Sequence, residues 1–227
     1  MKKVMWFISL IPLVVTSFIL QFFPDKIPMH YDLEGNIDRW GNKAESLIFP
    51  IIILFISLFW TLFIYHFEKK IKTAKTEKDV MEAKSNAKIL SIVGICMAVM
   101  FSFMHFFSMY SSYVEAIEEM EHAKVNIANV SCVLLGIMFI VLGNFIPKTK
   151  KNGTVGVRTV WSMYNDNTWR KSNLFGGAAM VIIGVLTIIT SIFVSGGVST
   201  VLMLVYLLIF VIATVAYSKK VYNQENK

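Results

Sequence analysis

Six long stretches of this chain contain no Asp, Glu, Lys or Arg: residues 4–23, 47–67, 89–110, 127–146, 174–194 and 199–217. Each is about 20 residues long, enough to cross the hydrocarbon of a bilayer as a helix. With 56% hydrophobic against 16% charged residues and a mean hydropathy of +0.60, the composition excludes an ordinary soluble domain. The missing midplane carboxylates also count against proton- or ion-coupled transport, which usually depends on them. Cysteine is scarce: Cys96 and Cys132 stand alone in different apolar runs, with no CxxC spacing and no nearby His. They read as small buried residues and exclude a disulfide framework or a zinc knuckle. No HExxH, HxH, nucleophile elbow, Walker loop or Ser-Lys pairing is present, so no catalytic residue and no cofactor is expected. The first run ends in Gln21, Phe22, Phe23 and Pro24 without a small-x-small cleavage site, so it reads as an uncleaved helix, with Pro12 set to kink it.

The charges that are absent from the runs are concentrated between them. Residues 144–177 gather Lys148, Lys150, Lys151, Arg158, Arg170 and Lys171 against the single acid Asp166, and residues 68–88 carry seven lysines. Basic loops translocate poorly, which puts both segments on the cytoplasmic side. Alternation then assigns 18 of the 22 Lys and Arg residues to the inside and four to the outside, with a net charge of +12 inside and −5 outside. The overall charge of +7 therefore reports orientation, and direct nucleic-acid binding is not expected. The expected fold is all-α: a polytopic bundle of six transmembrane helices with both termini cytoplasmic.

Four segments follow. Residues 1–67 hold two spans and a structured outer loop at 24–46, punctuated by Pro24, Pro28, Gly35 and Gly41 and by a Glu34-Gly35-Asn36 turn signal. Residues 68–88 form a charged inner loop. Glu68 with Lys72, and Lys78 with Glu82, stand at the i, i+4 spacing of a solvated helix face, so this loop reads as a charged extension of the flanking helices. Residues 89–143 add two spans around an outer loop at 111–126 that holds Glu115, Glu118, Glu119 and Glu121. Residues 144–227 contain the basic stretch, two spans separated by a Ser195-Gly196-Gly197 turn, and a short tail.

Two groups of residues are candidates for binding. On the inside, Trp161, Asn165 and Trp169 recur every four residues, so a helix would align them on one face lying flat on the membrane, with Arg158, Arg170 and Lys171 suited to lipid phosphates. This surface reads either as an anchor at the entry to the fifth span or as a platform for a cytoplasmic partner. On the outside, His30 and Asp32 with Asp25, Glu34 and Asp38 could offer imidazole and carboxylate ligands, with His105 and His122 on the same side. No ligand spacing supports a metal, and His30 reads as hydrogen-bonded within its own loop. His105, inside a span but near its outer end, is a functional candidate because ionisable groups there are costly. A membrane hydrolase or metal-dependent peptidase using these outer groups is the alternative to a binding protein.

Two loops carry a resemblance. The outer stretch FPDKIPMHYDLEGNIDRWGNK is similar to a bacterial membrane-domain motif running Leu-Pro-x-x-Ile-Pro-x-His-Trp-Asn and then Gly, Asp and Lys. Pro24, Ile27, Pro28, His30, Gly35, Asp38 and Lys43 match it, with Tyr31 in place of Trp and Asp32 in place of Asn. The inner stretch resembles the signature of the SdpI family of immunity proteins, with matches at Gly143, Asn144, Pro147, Lys148, Gly156, Arg158, Thr159, Trp161, Asn165, Trp169, Lys171, Gly176 and Gly177. Val157, Val160, Ser162, Ser172 and Asn173 depart from it, and Asn173 replaces a family His. The resemblance implies protection of a Gram-positive cell against an exported antimicrobial peptide toxin. It also implies a toxin sensor that recruits a cytoplasmic repressor. The expected contact residues are His30, Asp32, Gly35 and Asp38 outside, and Asn144, Lys148, Arg158, Trp161, Asn165 and Trp169 inside. The expected partners are the peptide, the repressor and membrane lipids.

Overall fold

A computed structural model describes residues 1–32 and 35–226. Six helices run in sequence: α1 (Lys2–Ile19), α2 (Ile48–Thr73), α3 (Glu77–Ile117), α4 (Ile127–Phe145), α5 (Asp166–Phe193) and α6 (Gly196–Glu225). Each contains a window long and apolar enough to cross a membrane. Their outward faces are greasy. Phe7, Phe18, Phe55, Leu208 and Phe193 are all more than 60% exposed, as a lipid-facing surface requires.

The interior is correspondingly polar and small. In lipid, apolar faces gain little by meeting each other, so close packing and buried hydrogen bonds hold helices together. Ser9 and Ser57 share a hydrogen bond of 2.5 Å between α1 and α2, Trp6 donates to Thr61 at 2.9 Å, and Thr16 meets His105 of α3 at 2.7 Å. Between α5 and α6, Ser191 and Ser199 meet at 2.6 Å, while the Asn129 side chain of α4 donates to the carbonyls of Ser191 and Val194. Glycine provides the closest helix contact. A Cβ on Gly136 or Gly143 would stand 2.7 Å from the carbonyl oxygen of Gly184 or Gly177, so α4 and α5 touch backbone to backbone at two levels seven residues apart. Helices α1–α3 pack as one group and α4–α6 as another, and α3 against α4 is the main helix contact between them.

Helix ends differ from the expected loops. Helix α3 spans 41 residues, about 60 Å at 1.5 Å per residue, twice the hydrocarbon thickness. Its first three turns and the last turns of α2 absorb the 68–88 segment, leaving only residues 74–76 as the connection. The charged-extension reading of that segment therefore describes it. At its other end α3 runs on to Ile117, because the stretch from Tyr110 onward contains neither Gly nor Pro to stop it. Pro12 lies inside α1, which continues through it.

The outer loop at 24–46 folds into a β-hairpin. Strands β1 (Lys26–Tyr31) and β2 (Ile37–Asn42) pair antiparallel, with register shifts on either side of His30. Ile27, fully buried, pins the hairpin into a cluster with Leu20, Phe23 and Met109, and Ser112 of α3 donates to the Pro28 carbonyl at 3.0 Å. Segment 121–123 adds to the hairpin edge: Ile37 N–H donates to the Glu121 carbonyl and Ala123 N–H to the Gly35 carbonyl. The two outer loops are thus one platform.

The ends of the helices fall on two faces. Lys2 pairs with Glu68 at 2.5 Å, Gly153 N–H donates to Glu82, and Lys171 pairs with Glu225 at 3.0 Å, so the N-terminus, the 68–88 segment, the 144–165 loop and the C-terminal end share the basic face. The hairpin, residues 118–126 and the α5–α6 turn share the acidic face.

Candidate functional site

On the acidic face, a cavity of about 650 Å³ opens between the hairpin, α3 and the first turns of α4 and α6. His30, Asp32 and Gly35 form its polar rim, and Ile127, Ala128 and Val201 are among its apolar walls. Tyr31 separates it from a second cavity of about 400 Å³ that reaches His105 and Phe49 on the α2–α3 side, and Met29, Ser108 and Ile127 border both. A groove with one polar rim and apolar walls suits an amphipathic chain segment.

The rim residues have defined local roles. His30 Nδ1 and Asp38 Oδ1 lie 2.6 Å apart across the hairpin, which accounts for both positions of the motif. The Asp32 carboxylate accepts from the Asn36 backbone at 2.8 Å and from its side chain at 2.6 Å, closing the turn in which Gly35 adopts φ +90°. Lys43 donates to the Phe23 carbonyl at 2.9 Å and pairs with Asp25 at 3.1 Å. Among the four outer candidates, three line the cavity and Asp38 stands behind His30. Glu34 lies outside the described residues. Among the described residues no three His, Cys, Asp or Glu side chains come together as metal ligands, and His105 instead bonds to Thr16.

One residue that holds the platform in place escaped the sequence reading. Glu115, assigned there to the outer loop at 111–126, is 0% exposed at the outer end of α3. It lies five residues beyond the apolar run that ends at Tyr110, on the outer extension of α3. Its carboxylate accepts from the Tyr31 hydroxyl at 2.6 Å, from the Lys124 backbone N–H at 2.6 Å and from Ser111. It therefore ties β1, α3 and the following loop together through Tyr31, which lines the cavity. Burial and the facing Glu115 carboxylate push the Tyr31 phenol well above the ordinary tyrosine range. The signal available in the sequence was the uninterrupted Ser111-Ser112-Tyr113-Val114-Glu115 continuation of the helix.

The inner candidates separate into two groups. The expected interfacial helix is absent: residues 160–163 form turns and α5 begins only at Asp166, with Asn165 as its N-cap in a reciprocal box with Thr168. Trp169 is not a lipid anchor but is 2% exposed, donating from its indole N–H to the Thr149 carbonyl at 2.9 Å. The reason is Gly156. At φ +127° it lies against the Trp169 ring, where a Cβ would stand 2.8 Å away, so the loop folds back over the helix. Asn173 fixes that fold by accepting from the Val157 N–H at 2.8 Å and donating to the Trp169 carbonyl at 2.9 Å. An amide at the family His position thus has a backbone-holding role here. Ser162, also a departure from the signature, is fully buried and bonds to Val157 and Thr159. Asn144, Lys148 and Arg158 are exposed; Asn144 bonds to its own helix at Ile140, and Lys148 lies over the Phe145 ring. Trp161 is half-buried beneath Lys219.

Six apolar helices, a folded outer platform and a basic inner knot define a multi-pass α-helical membrane protein without a recognisable reaction centre among the described residues. Comparison with known proteins sharpens this class. Residues 148–218 match the SdpI/YfhL protein family, and residues 7–54 match a domain of unknown function (DUF1648) that covers α1, the hairpin and the start of α2. The chain is 24% identical over 212 residues to the immunity protein SdpI of Bacillus subtilis strain 168, covering 91% of this chain and 90% of that protein. The likeness to the SdpI family carried by the two loop motifs is thereby shown, and the protein is a multi-pass protein of the cell membrane. No solved structure matches the chain.

Proposed function

We propose that this protein is a membrane immunity protein that protects its cell against an exported antimicrobial peptide by binding the peptide intact at the outer cavity. In this reading the basic face is cytoplasmic, as the distribution of Lys and Arg favours, and the acidic platform meets what arrives from outside. The observation that carries the proposal is the cavity of about 650 Å³, with His30 and Asp32 on its rim and Ile127, Ala128 and Val201 on its walls. On the same acidic face, Glu118, Glu119 and Glu121 attract a cationic peptide, and the apolar walls of the cavity take its greasy part. Sensing belongs to the same proposal. A cytoplasmic repressor would meet the exposed Arg158 and the half-buried Trp161 on the basic face.

Survival of a toxin-sensitive host expressing the chain tests the immunity role. Incubating the peptide with membranes that contain the protein tests the mechanism: intact, membrane-bound peptide is expected, and cleavage products would point to a hydrolase instead.

A further inference from the structure

On the basic face, a second cavity has no part in peptide binding. It measures about 600 Å³ and lies where the first turns of α3, residues 147–151 and the first turn of α5 meet. Lys78, Lys150, Lys151 and Arg170 line it together with Glu82 and Asp166, leaving a formal excess of two positive charges. None of these four cations is in an ion pair among the described residues; Lys150 reaches only the Met81 sulfur, at 3.3 Å. Glu82 and Asp166 offset only half of the charge that converges from three segments, and the excess favours an anion in the cavity.

The depth of the cavity's α5 side points to the source of that anion, while Lys78, eleven residues before the apolar run of α3 begins at Ile89, reaches the cavity from its cytoplasmic side. Arg170 is four residues before Leu174, where the apolar run of α5 begins, which places it about 6 Å beyond the hydrocarbon along the helix. The headgroup layer is about 5–8 Å thick on each side. Pro147, on the cavity wall, directly follows Ile146, the last residue of the apolar run of α4. A phosphate bound between Lys150 and Arg170 thus lies at lipid-phosphate level, and the apolar outer faces of α4 and α5 continue beneath it for acyl chains.

We infer that this cavity is a binding site for the phosphate headgroup of an anionic glycerophospholipid, clamped by Lys78, Lys150, Lys151 and Arg170. The lipid joins α3 to α5 and so braces the two helix groups, which meet mainly at α3 and α4. The inference is independent of what the outer cavity binds.

Thermal unfolding of the purified full-length chain in neutral detergent tests it, using short-chain phosphatidylglycerol, phosphatidylcholine of the same chain length, and inorganic phosphate. Phosphatidylglycerol is expected to raise Tm saturably by roughly 5 °C or more, and the other two to leave it unchanged. The double variant Lys150→Gln with Arg170→Gln loses that response, and so does Lys78→Gln with Lys151→Gln, which guards against a folding defect in the first. The pair Lys219→Gln with Lys220→Gln removes the same charge at the end of α6 and keeps the response. An equal shift with phosphatidylcholine or inorganic phosphate overturns the inference, as does a full response in both cavity variants or its loss in the α6 control.

Discussion

Replacing Glu115 with Ala would release the outer platform from α3. The carboxylate accepts three hydrogen bonds, from Tyr31, Ser111 and the Lys124 backbone, at a site with no solvent exposure. Removing it leaves three donors unpaired, each costing about 1–3 kcal/mol when buried. Tyr31 and Lys124 are only part-buried and recover some of this through water, so the loss falls at roughly 3–6 kcal/mol. Because these bonds join the hairpin to α3, the expected effect is local undocking. Hydrogen exchange in detergent reads it at the Ile37 and Ala123 amides, which bond across the platform. Glu115→Gln keeps a carbonyl toward Ser111 and Lys124, and the Tyr31 hydroxyl can reverse to accept from the amide, so its loss is about 1–2 kcal/mol. A cycle of Glu115→Gln with Tyr31→Phe is expected to give a coupling of about 0.5–3 kcal/mol. Wild-type protection of both amides in Glu115→Ala would refute the reasoning.

Four further outcomes follow from the same geometry. The Tyr31 phenol titrates higher in the folded chain than its ordinary value of 10.0, so its contribution is complete below pH 10 and is lost as pH rises beyond it; the alkaline fall in Tm is expected to be shallower in Tyr31→Phe. Gly143→Leu drives a side chain into the Gly177 carbonyl and is expected to cost about 1–3 kcal/mol or more by separating α4 from α5, whereas Gly153→Ala, with open space around it, leaves Tm unchanged. Asn173→Ala strands the Val157 N–H and lowers stability by about 1–3 kcal/mol, read as a lower Tm and faster proteolysis of residues 149–165. Alanine at Arg158 and Trp161 is expected to leave protein abundance intact while abolishing recruitment of a cytoplasmic partner; unchanged immunity and unchanged signalling at equal abundance would remove the platform idea.

The six spans were legible because twenty uncharged, apolar residues have few other uses, and the helix groups follow from their order. Helix ends were not. Near a membrane surface, charged residues serve solvated helix turns and loops equally well, so 111–117 looked like a connection although it is helical, whereas the i, i+4 pairs of 68–88 did mark its helical parts on either side of residues 74–76. The hairpin was anticipated only as a structured loop, since Pro28 and the short polar run Ile37–Asn42 give no clear alternation. Trp161, Asn165 and Trp169 have a helical period, but Gly156 at positive φ turns the loop back onto Trp169 and converts an expected surface residue into a buried one. Both motifs that carried the resemblance are largely explained by folding: Ile27, Pro28, Gly35 and Lys43 build the hairpin, and Gly156, Asn165 and Trp169 build the inner knot. Motif membership therefore marks what holds the platforms in place. The apolar walls supplied by Ile127, Ala128 and Val201 come from positions that no motif singled out.

Orientation across the bilayer underlies every functional statement, and site-directed labelling of sealed cells reads it directly. With Cys96 and Cys132 replaced by Ser, a membrane-impermeant maleimide is applied to Trp40→Cys, on the exposed hairpin, and to Arg158→Cys, on the exposed inner loop. The account predicts that position 40 reacts in intact cells and position 158 only after permeabilisation. Labelling of position 158 from the medium would place the acidic platform inside the cell and contradict it.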